Sequence, residues 1–164
     1  MPKLGRRVLL LGGISLLAAC GPRFLTYDGP QVTSIVVRKS ARKMYLMHQN
    51  EVLEAYDFEL GFAPVGHKEI EGDGKTPEGL YYIDRKNPNS SFHLSVGISY
   101  PNDEDRARAA ALGHSPGGDI FIHGTPRRFR GDDDWTWGCI AVKNSEIEVI
   151  YSMVQVGTPI FLYP

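Results

Sequence analysis

The chain has 164 residues, 18 basic and 19 acidic, and a formal charge of −1. That length fits one domain with a real core, and a 42% apolar share argues against disorder. A balanced charge gives no reason to expect a nucleic-acid binder with its strongly basic face, and two cysteines exclude both a disulfide-dense scaffold and a four-cysteine zinc site.

Residues 1–19 read as an export signal. Lys3, Arg6 and Arg7 precede the apolar run Val8 to Ala19, which is too short to span a bilayer comfortably. The run ends in Leu17-Ala18-Ala19-Cys20, and small residues before a cysteine resemble the lipobox of bacterial lipoproteins. On that reading Cys20 is the lipidated first residue of the mature protein, anchored to a membrane in the bacterial cell envelope on the periplasmic side. An ordinary cleaved signal with a chance cysteine is the plainer alternative. Loss of 1–19 leaves 15 basic against 19 acidic residues. Cys139 is then the one free thiol, in a compartment where cysteines normally pair.

Residues 20–31 carry Gly21, Pro22, Gly29 and Pro30 and read as a linker, with the domain over 32–164. Its pattern is mostly strands: Ser34 to Lys39, Lys43 to His48, and Glu51 to Leu60 with Val52, Tyr56, Phe58 and Leu60 on one face. Further strands are expected at Leu80 to Asp84, Phe92 to Val96, Asp119 to His123 and Pro159 to Tyr163. Asn102 is placed to cap a helix to Leu112, with Asp103, Glu104 and Asp105 at its positive end and Gly113 as its stop. Ser145 and Glu148 have capping-box spacing before the apolar stripe Ile147, Ile150, Tyr151 and Val154. The expected fold is mainly β, a sandwich or barrel-like arrangement of sheets with two helices.

Gly72-Asp73-Gly74-Lys75-Thr76-Pro77-Glu78-Gly79 contains the Gly-Lys-Thr of a phosphate loop. The first glycine of that motif would fall on Glu69, and Pro77 does not suit the helix that must follow. A loop entering the strand at Leu80 fits better.

More chemistry lies in Ile120-Phe121-Ile122-His123-Gly124 and in Thr136-Trp137-Gly138-Cys139-Ile140-Ala141-Val142. A thiol is only slightly ionised at neutral pH, and a neighbouring imidazole can accept its proton. A glycine before the cysteine lets backbone N–H groups approach a developing oxyanion. That reading expects a thiol that reacts faster than a free cysteine below pH 8. The plainer reading makes Cys139 a small buried hydrophobe and His123 a hydrogen-bonded core residue. Two ligands are too few for a closed zinc site, and His48, His67, His93 and His114 lack ligand spacing.

All five histidines precede Cys139, unlike papain-like hydrolases, and no arginine follows Arg130, as a sortase would need. The arrangement resembles the L,D-transpeptidase (YkuD-type) catalytic-domain family, in a Gram-negative murein subgroup. The likeness rests on His123-Gly124, Thr136, Gly138-Cys139-Ile140, the separation of 16 between His123 and Cys139, the Thr76-Pro77-Glu78-Gly79 element, Asn144 and Val156 to Ile160.

The resemblance implies a peptidoglycan L,D-transpeptidase without metal or organic cofactor. Cys139 is the nucleophile and His123 the base. Trp137, Gly138, Gly124 and Thr136 form the oxyanion and substrate surroundings, with the Gly124 carbonyl orienting His123. Partners would be stem peptides, the membrane through Cys20, and a wall-linked protein as acceptor or substrate. Many members carry an arginine two places after the cysteine, where this chain has Ala141, and Trp137 replaces a common histidine or small residue. Two alternatives keep their place: the same site as a carboxypeptidase or an amidase releasing a wall-linked protein, and a non-catalytic peptidoglycan-binding lipoprotein. Arg127, Arg128 and Arg130 followed by Asp132, Asp133 and Asp134 read first as a solvated, internally paired loop and second as a lid over a charged stem.

Overall fold

A computed structural model describes residues 24–164. The signal assigned to 1–19 and the lipidation assigned to Cys20 lie outside the described residues. Among those residues no helix is long and apolar enough to cross a membrane.

Eight strands form one mixed sheet: β1 (Ser34–Arg38), β2 (Lys43–His48), β3 (Glu51–Asp57), β4 (Gly79–Asn87), β5 (Ser95–Ile98), β6 (Phe121–Gly124), β7 (Ile140–Val142) and β8 (Pro159–Tyr163). Their spatial order is β3-β2-β1-β8-β4-β5-β6-β7. Pairs β1–β8 and β6–β7 are parallel and the rest antiparallel. The chain beyond β3 then meets β7: Glu59 bridges Ala141, and Gly61 bridges Thr136. The sheet therefore curls until it is nearly a barrel, so of the two expected arrangements the barrel-like one holds.

Alternation builds the core. Ile35 and Val37 of β1, Met44 and Leu46 of β2, Tyr81 and Ile83 of β4 and Ile160 and Leu162 of β8 all point inward and are buried. The expected inward face of β3 needs one correction, because Val52 is 49% exposed. Leu46 pairs with Glu54 but Met47 with Val52, so Leu53 is the extra residue of a bulge. The bulge breaks the alternation, and Leu53 packs against the core instead.

Two strands start later than the sequence pattern suggests. Residues 92–94 stand outside β5 because Asn87 Oδ1 accepts from the Asn89 N–H and Ser90 Oγ from the Phe92 N–H, while His93 has φ +77°. Asp119 stands outside β6 with φ +55°. The short strand β7 lies in the apolar run that opens with Gly138-Cys139.

Helix α1 (Asp103–Ala111) begins at the expected cap: Asn102 Oδ1 accepts from the Asp105 N–H and Asp105 Oδ2 from the Asn102 N–H, both at 3.0 Å. Gly113 follows it with φ +74°. Helix α2 (Asn144–Met153) packs on β5 and β6 with Ile147 and Ile150 buried. Its cap differs from expectation. Glu146, rather than Glu148, reaches back to the Lys143 N–H at 2.9 Å. Glu148 meets His93 Nε2 at 2.6 Å. The helix starts one residue before Ser145, so Ser145 already lies inside it.

Asp105 ties α1 to the sheet. Its buried carboxylate accepts from the Tyr81 hydroxyl at 2.8 Å and lies 3.1 Å from His67 Nε2. Replacing it by Ala strands these donors in the interior. The expected cost is about 3–5 kcal/mol, seen as a Tm drop on the order of 10 °C in thermal unfolding, whereas an unchanged Tm would show that water reaches the network.

Candidate active site

Strands β6 and β7 run parallel, with Ile122 opposite Ile140 and His123 opposite Ala141. One step back along this register sets Cys139 beside Phe121. Positions two apart share a face of a sheet, so His123 and Cys139 are diagonal neighbours on one face. The parallel pairing thus brings together two residues 16 apart in sequence.

The His123 ring is buried, with Nδ1 2.8 Å from the Gly124 carbonyl oxygen. Nδ1–H is the donor there, so the lone pair sits on Nε2. Phe92 stacks on the imidazole at 4.4 Å between centroids, and Trp135 packs on it at 5.6 Å. This apolar wrapping removes water, and burial lowers the imidazole to about 4, with the Gly124 hydrogen bond pulling the other way.

Cys139 is half-buried, and its thiol donates to the Asp119 carbonyl at 3.5 Å. Among the described residues no hydrogen bond joins the thiol to the imidazole. Burial pushes the thiol up to about 11, and the Asp119 carboxylate adds to this. The Phe121 N–H and the Lys68 ammonium act in the opposite direction. The expectation of a thiol more ionised than a free cysteine below pH 8 is therefore corrected. Without substrate the pair is a neutral thiol and a neutral imidazole, because desolvation outweighs the charge attraction that the sequence suggested.

Gly138 has φ +115°, and a Cβ there would lie 2.4 Å from the Lys75 carbonyl oxygen. Only glycine fits this turn. Thr136 Oγ1 donates to the Cys139 carbonyl at 2.7 Å and accepts from the Gly138 N–H at 3.2 Å. Thr76 is fully buried, and its hydroxyl donates to the Gly138 carbonyl at 2.8 Å. Lys39 in turn holds the Thr76 carbonyl at 3.0 Å, the Gly66 carbonyl at 2.5 Å and Glu78 at 2.8 Å. Burial lowers the Lys39 ammonium, and Glu78 partly restores it.

Trp137 is 70% exposed beside Gly138 and Cys139 and meets Phe62 edge-on at 5.1 Å. Gly124 has no room for a side chain, since a Cβ would lie 2.4 Å from Asn144 Oδ1. The segment 127–134 is not held by pairing between its own arginines and aspartates. Asp134 reaches Arg42 at 2.5 Å and the Leu60 N–H at 3.1 Å, and Phe129 stacks on Trp135 at 4.1 Å.

Thr136, Gly138, Cys139, His123 and Gly124 thus meet in one place, with Trp137 at its rim. The sequence did not single out Lys39, Phe92, Asp119 or Trp135. Thr76 was legible only as part of a loop motif.

A match to the YkuD family, described as the L,D-transpeptidase catalytic domain, covers residues 32–162. The chain belongs to this family. It is 31% identical over 118 residues to the Escherichia coli (strain K12) protein named "Putative L,D-transpeptidase YafK", an alignment covering 71% of this chain and 42% of that protein. Among solved structures it is similar to the helical cell shape determining protein Pgp2 from Campylobacter jejuni. That likeness has a TM-score of 0.62 and 26% identity, covering 85% of this chain and 50% of the other. An L,D-transpeptidase from Mycobacterium smegmatis, 17% identical with a TM-score of 0.55, shares the fold, with coverage of 81% and 59%. The chain spans about half the length of the first of these relatives or less.

The low value at His123 sets a pH dependence. The imidazole binds a proton near 6.5 in the unfolded chain but only near 4 in the fold. Between these values the unfolded state holds the extra proton, so stability falls as pH drops from about 6.5 to about 4, by up to about 3 kcal/mol. Denaturant titrations across this window should show a flatter profile for His123→Gln. Identical profiles would mean that His123 is not held neutral.

Proposed function

We propose that this domain is a cysteine acyltransferase acting on peptidoglycan stem tetrapeptides, a peptidoglycan L,D-transpeptidase of cell-wall synthesis or remodelling. The observation that carries this reading is the shared face of β6 and β7, with Cys139 at its end and the His123 Nε2 lone pair free to act as base.

For attack the thiol leaves the Asp119 carbonyl and gives its proton to Nε2 as the sulfur bonds to the carbonyl carbon of the third stem residue, taken to be diaminopimelate. The neutral resting pair makes proton loss simultaneous with attack, because a preformed ion pair is penalised by burial. Charge then develops on the carbonyl oxygen. The Gly138 N–H is already given to Thr136, so the Trp137 and Cys139 N–H groups are the donors for that oxygen. Collapse breaks the bond to the fourth residue, D-alanine, whose amine takes the proton from His123. An amine acceptor then attacks the thioester and gives a proton to His123 Nε2, which returns it to the departing sulfur, so the new amide forms as the Cys139 thiol is restored.

Incubation of the protein with defined muropeptides, with and without an amine acceptor, should give 3–3 linked dimers by mass. Cys139→Ser should lose turnover while keeping its fold. A stem that is only shortened would point to hydrolysis, with water as acceptor. A folded Cys139→Ser protein that remains fully active would overturn the mechanism.

The proposed setting is the periplasmic side of the bacterial envelope, with lipid on Cys20 as the anchor. Support comes from the basic start, the short apolar run and Leu17-Ala18-Ala19-Cys20. Cys20→Ser should move the protein from the membrane fraction to the soluble fraction. Unchanged membrane association would count against the lipid anchor.

A further inference from the structure

The strand registers set four residues in one row across the sheet. Arg85 of β4 lies opposite Gly97 of β5, and Gly97 lies opposite Phe121 of β6. One step back from the Ile122–Ile140 pair sets Phe121 beside Cys139. Residues directly opposite one another share a face of a sheet. Arg85 therefore stands on the face that carries the thiol and His123, and the reaction proposed above leaves it without a task.

Two features aim Arg85 along this row. Ile83 pairs with Ile98 but Arg85 with Gly97, so Asp84 is the extra residue of a bulge, which re-aims the side chains around it. Gly97 then leaves the row open, because a Cβ there would lie 2.7 Å from Arg85 Cγ and 2.4 Å from Asp84 Oδ1. The guanidinium crosses this gap and lies over the Phe121 ring, 4.5 Å from its centroid. It meets Asp119 Oδ1 at 2.8 Å and Asp84 Oδ2 at 2.7 Å.

At Asp119 the row returns to the sulfur. Its backbone has φ +55°, a left-handed conformation uncommon outside glycine, and from it the carbonyl oxygen accepts from the Cys139 thiol at 3.5 Å. One residue thus brings to the sulfur a carbonyl that holds it and a carboxylate that disfavours negative charge on it. The other titratable groups that bear on the thiol are the neutral His123 imidazole and the Lys68 ammonium. Lys68 is already bound to Asp73 at 2.9 Å, and Arg85 is the cation that meets Asp119. An exposed ion pair adds little to stability. Here the ring below and the gap at Gly97 fix where the charge sits, and its effect falls on the sulfur.

We propose that Arg85 is a positioning residue for Cys139 and acts through Asp119: it fixes the residue whose carbonyl holds the thiol and cancels the carboxylate that stands beside the sulfur. This rests on the acyl-transfer reading only for the role of Cys139 as nucleophile. With the carboxylate cancelled, negative charge gathers at the sulfur during attack without a like charge next to it.

The test is alkylation of Cys139 in the full chain by iodoacetamide, an uncharged reagent, followed over about pH 7 to 10 by mass on the peptide that carries Cys139. The rate follows the thiolate fraction. Arg85→Gln leaves the carboxylate unopposed and should slow alkylation about threefold at a given pH, the size of one screened charge within a Debye length. Asp119→Asn should speed it by a similar factor, since asparagine keeps the left-handed backbone and loses only the charge. The double variant and Arg85→Lys should both return close to the unsubstituted chain, and the differences should shrink in about 1 M salt. The two side chains are 43% and 88% exposed, so these substitutions disturb no core. A pair that merely braced the loop would move both single variants in one direction, because either substitution breaks the same contact. Shifts of the same sign, or no shift in either variant, would overturn the proposal. Acylation of Cys139 by the stem tetrapeptide is followed separately. Opposite alkylation shifts without acylation would remove the enzyme reading and keep the role of Arg85, while acylation with shifts of one sign would do the reverse.

Discussion

The site depends on a closure made chiefly by main chain. Glu59 and Ala141 exchange two backbone hydrogen bonds of 2.9 Å, and the Phe62 N–H donates to the Thr136 carbonyl at 3.1 Å. At Gly61 no side chain fits: a Cβ there would lie 2.0 Å from the Gly74 carbonyl oxygen. Each such bond contributes only about 0.5–1.5 kcal/mol, so their importance is geometric. They bring the chain after β3, the loop around Thr76 and the turn Thr136–Cys139 into direct contact. From that contact follow the Thr76 bond to Gly138 and the placement of Ala141 opposite His123. Cys139 stands where it does because three stretches of backbone have no room to be elsewhere.

The electrostatics follow from the same packing. A sheet that nearly closes on itself buries what points inward, and Phe92 and Trp135 complete the enclosure around His123. Burial favours the uncharged form of both partners, lowering the imidazole and raising the thiol. A site of this kind holds no standing thiolate.

How much of this was legible in the sequence depends on the range of each interaction. The cap at Asn102 and the strands β1, β2 and β8 were readable because alternation and capping act within a few residues. His123 and Cys139 stood out by residue type and spacing. Thr76 meets Gly138 from 62 positions away, and Arg42 meets Asp134 from 92. No local pattern encodes either contact. The bulge at Leu53 misled for a related reason: the extra residue is defined by the partner strand, so Val52 still reads as inward when β3 is taken by itself. The thiol's direction of shift was missed because the sequence displays a neighbouring base but not the burial of both groups.

The two flanks of Cys139 are built by different means, and this bears on how such a fold can vary. On the Thr76 side the contacts are backbone to backbone, or a buried side chain to a carbonyl, as with Lys39. Almost any substitution there costs a clash or an orphaned polar group. On the Arg127–Asp134 side the segment is held by an ion pair at Arg42, a ring stack at Phe129 and a few hydrogen bonds. Half-exposed ion pairs and surface stacks contribute little each, so this flank can change its side chains without moving Cys139. Cys139 therefore stands between a flank fixed by backbone contacts and a wall whose side chains are free to vary.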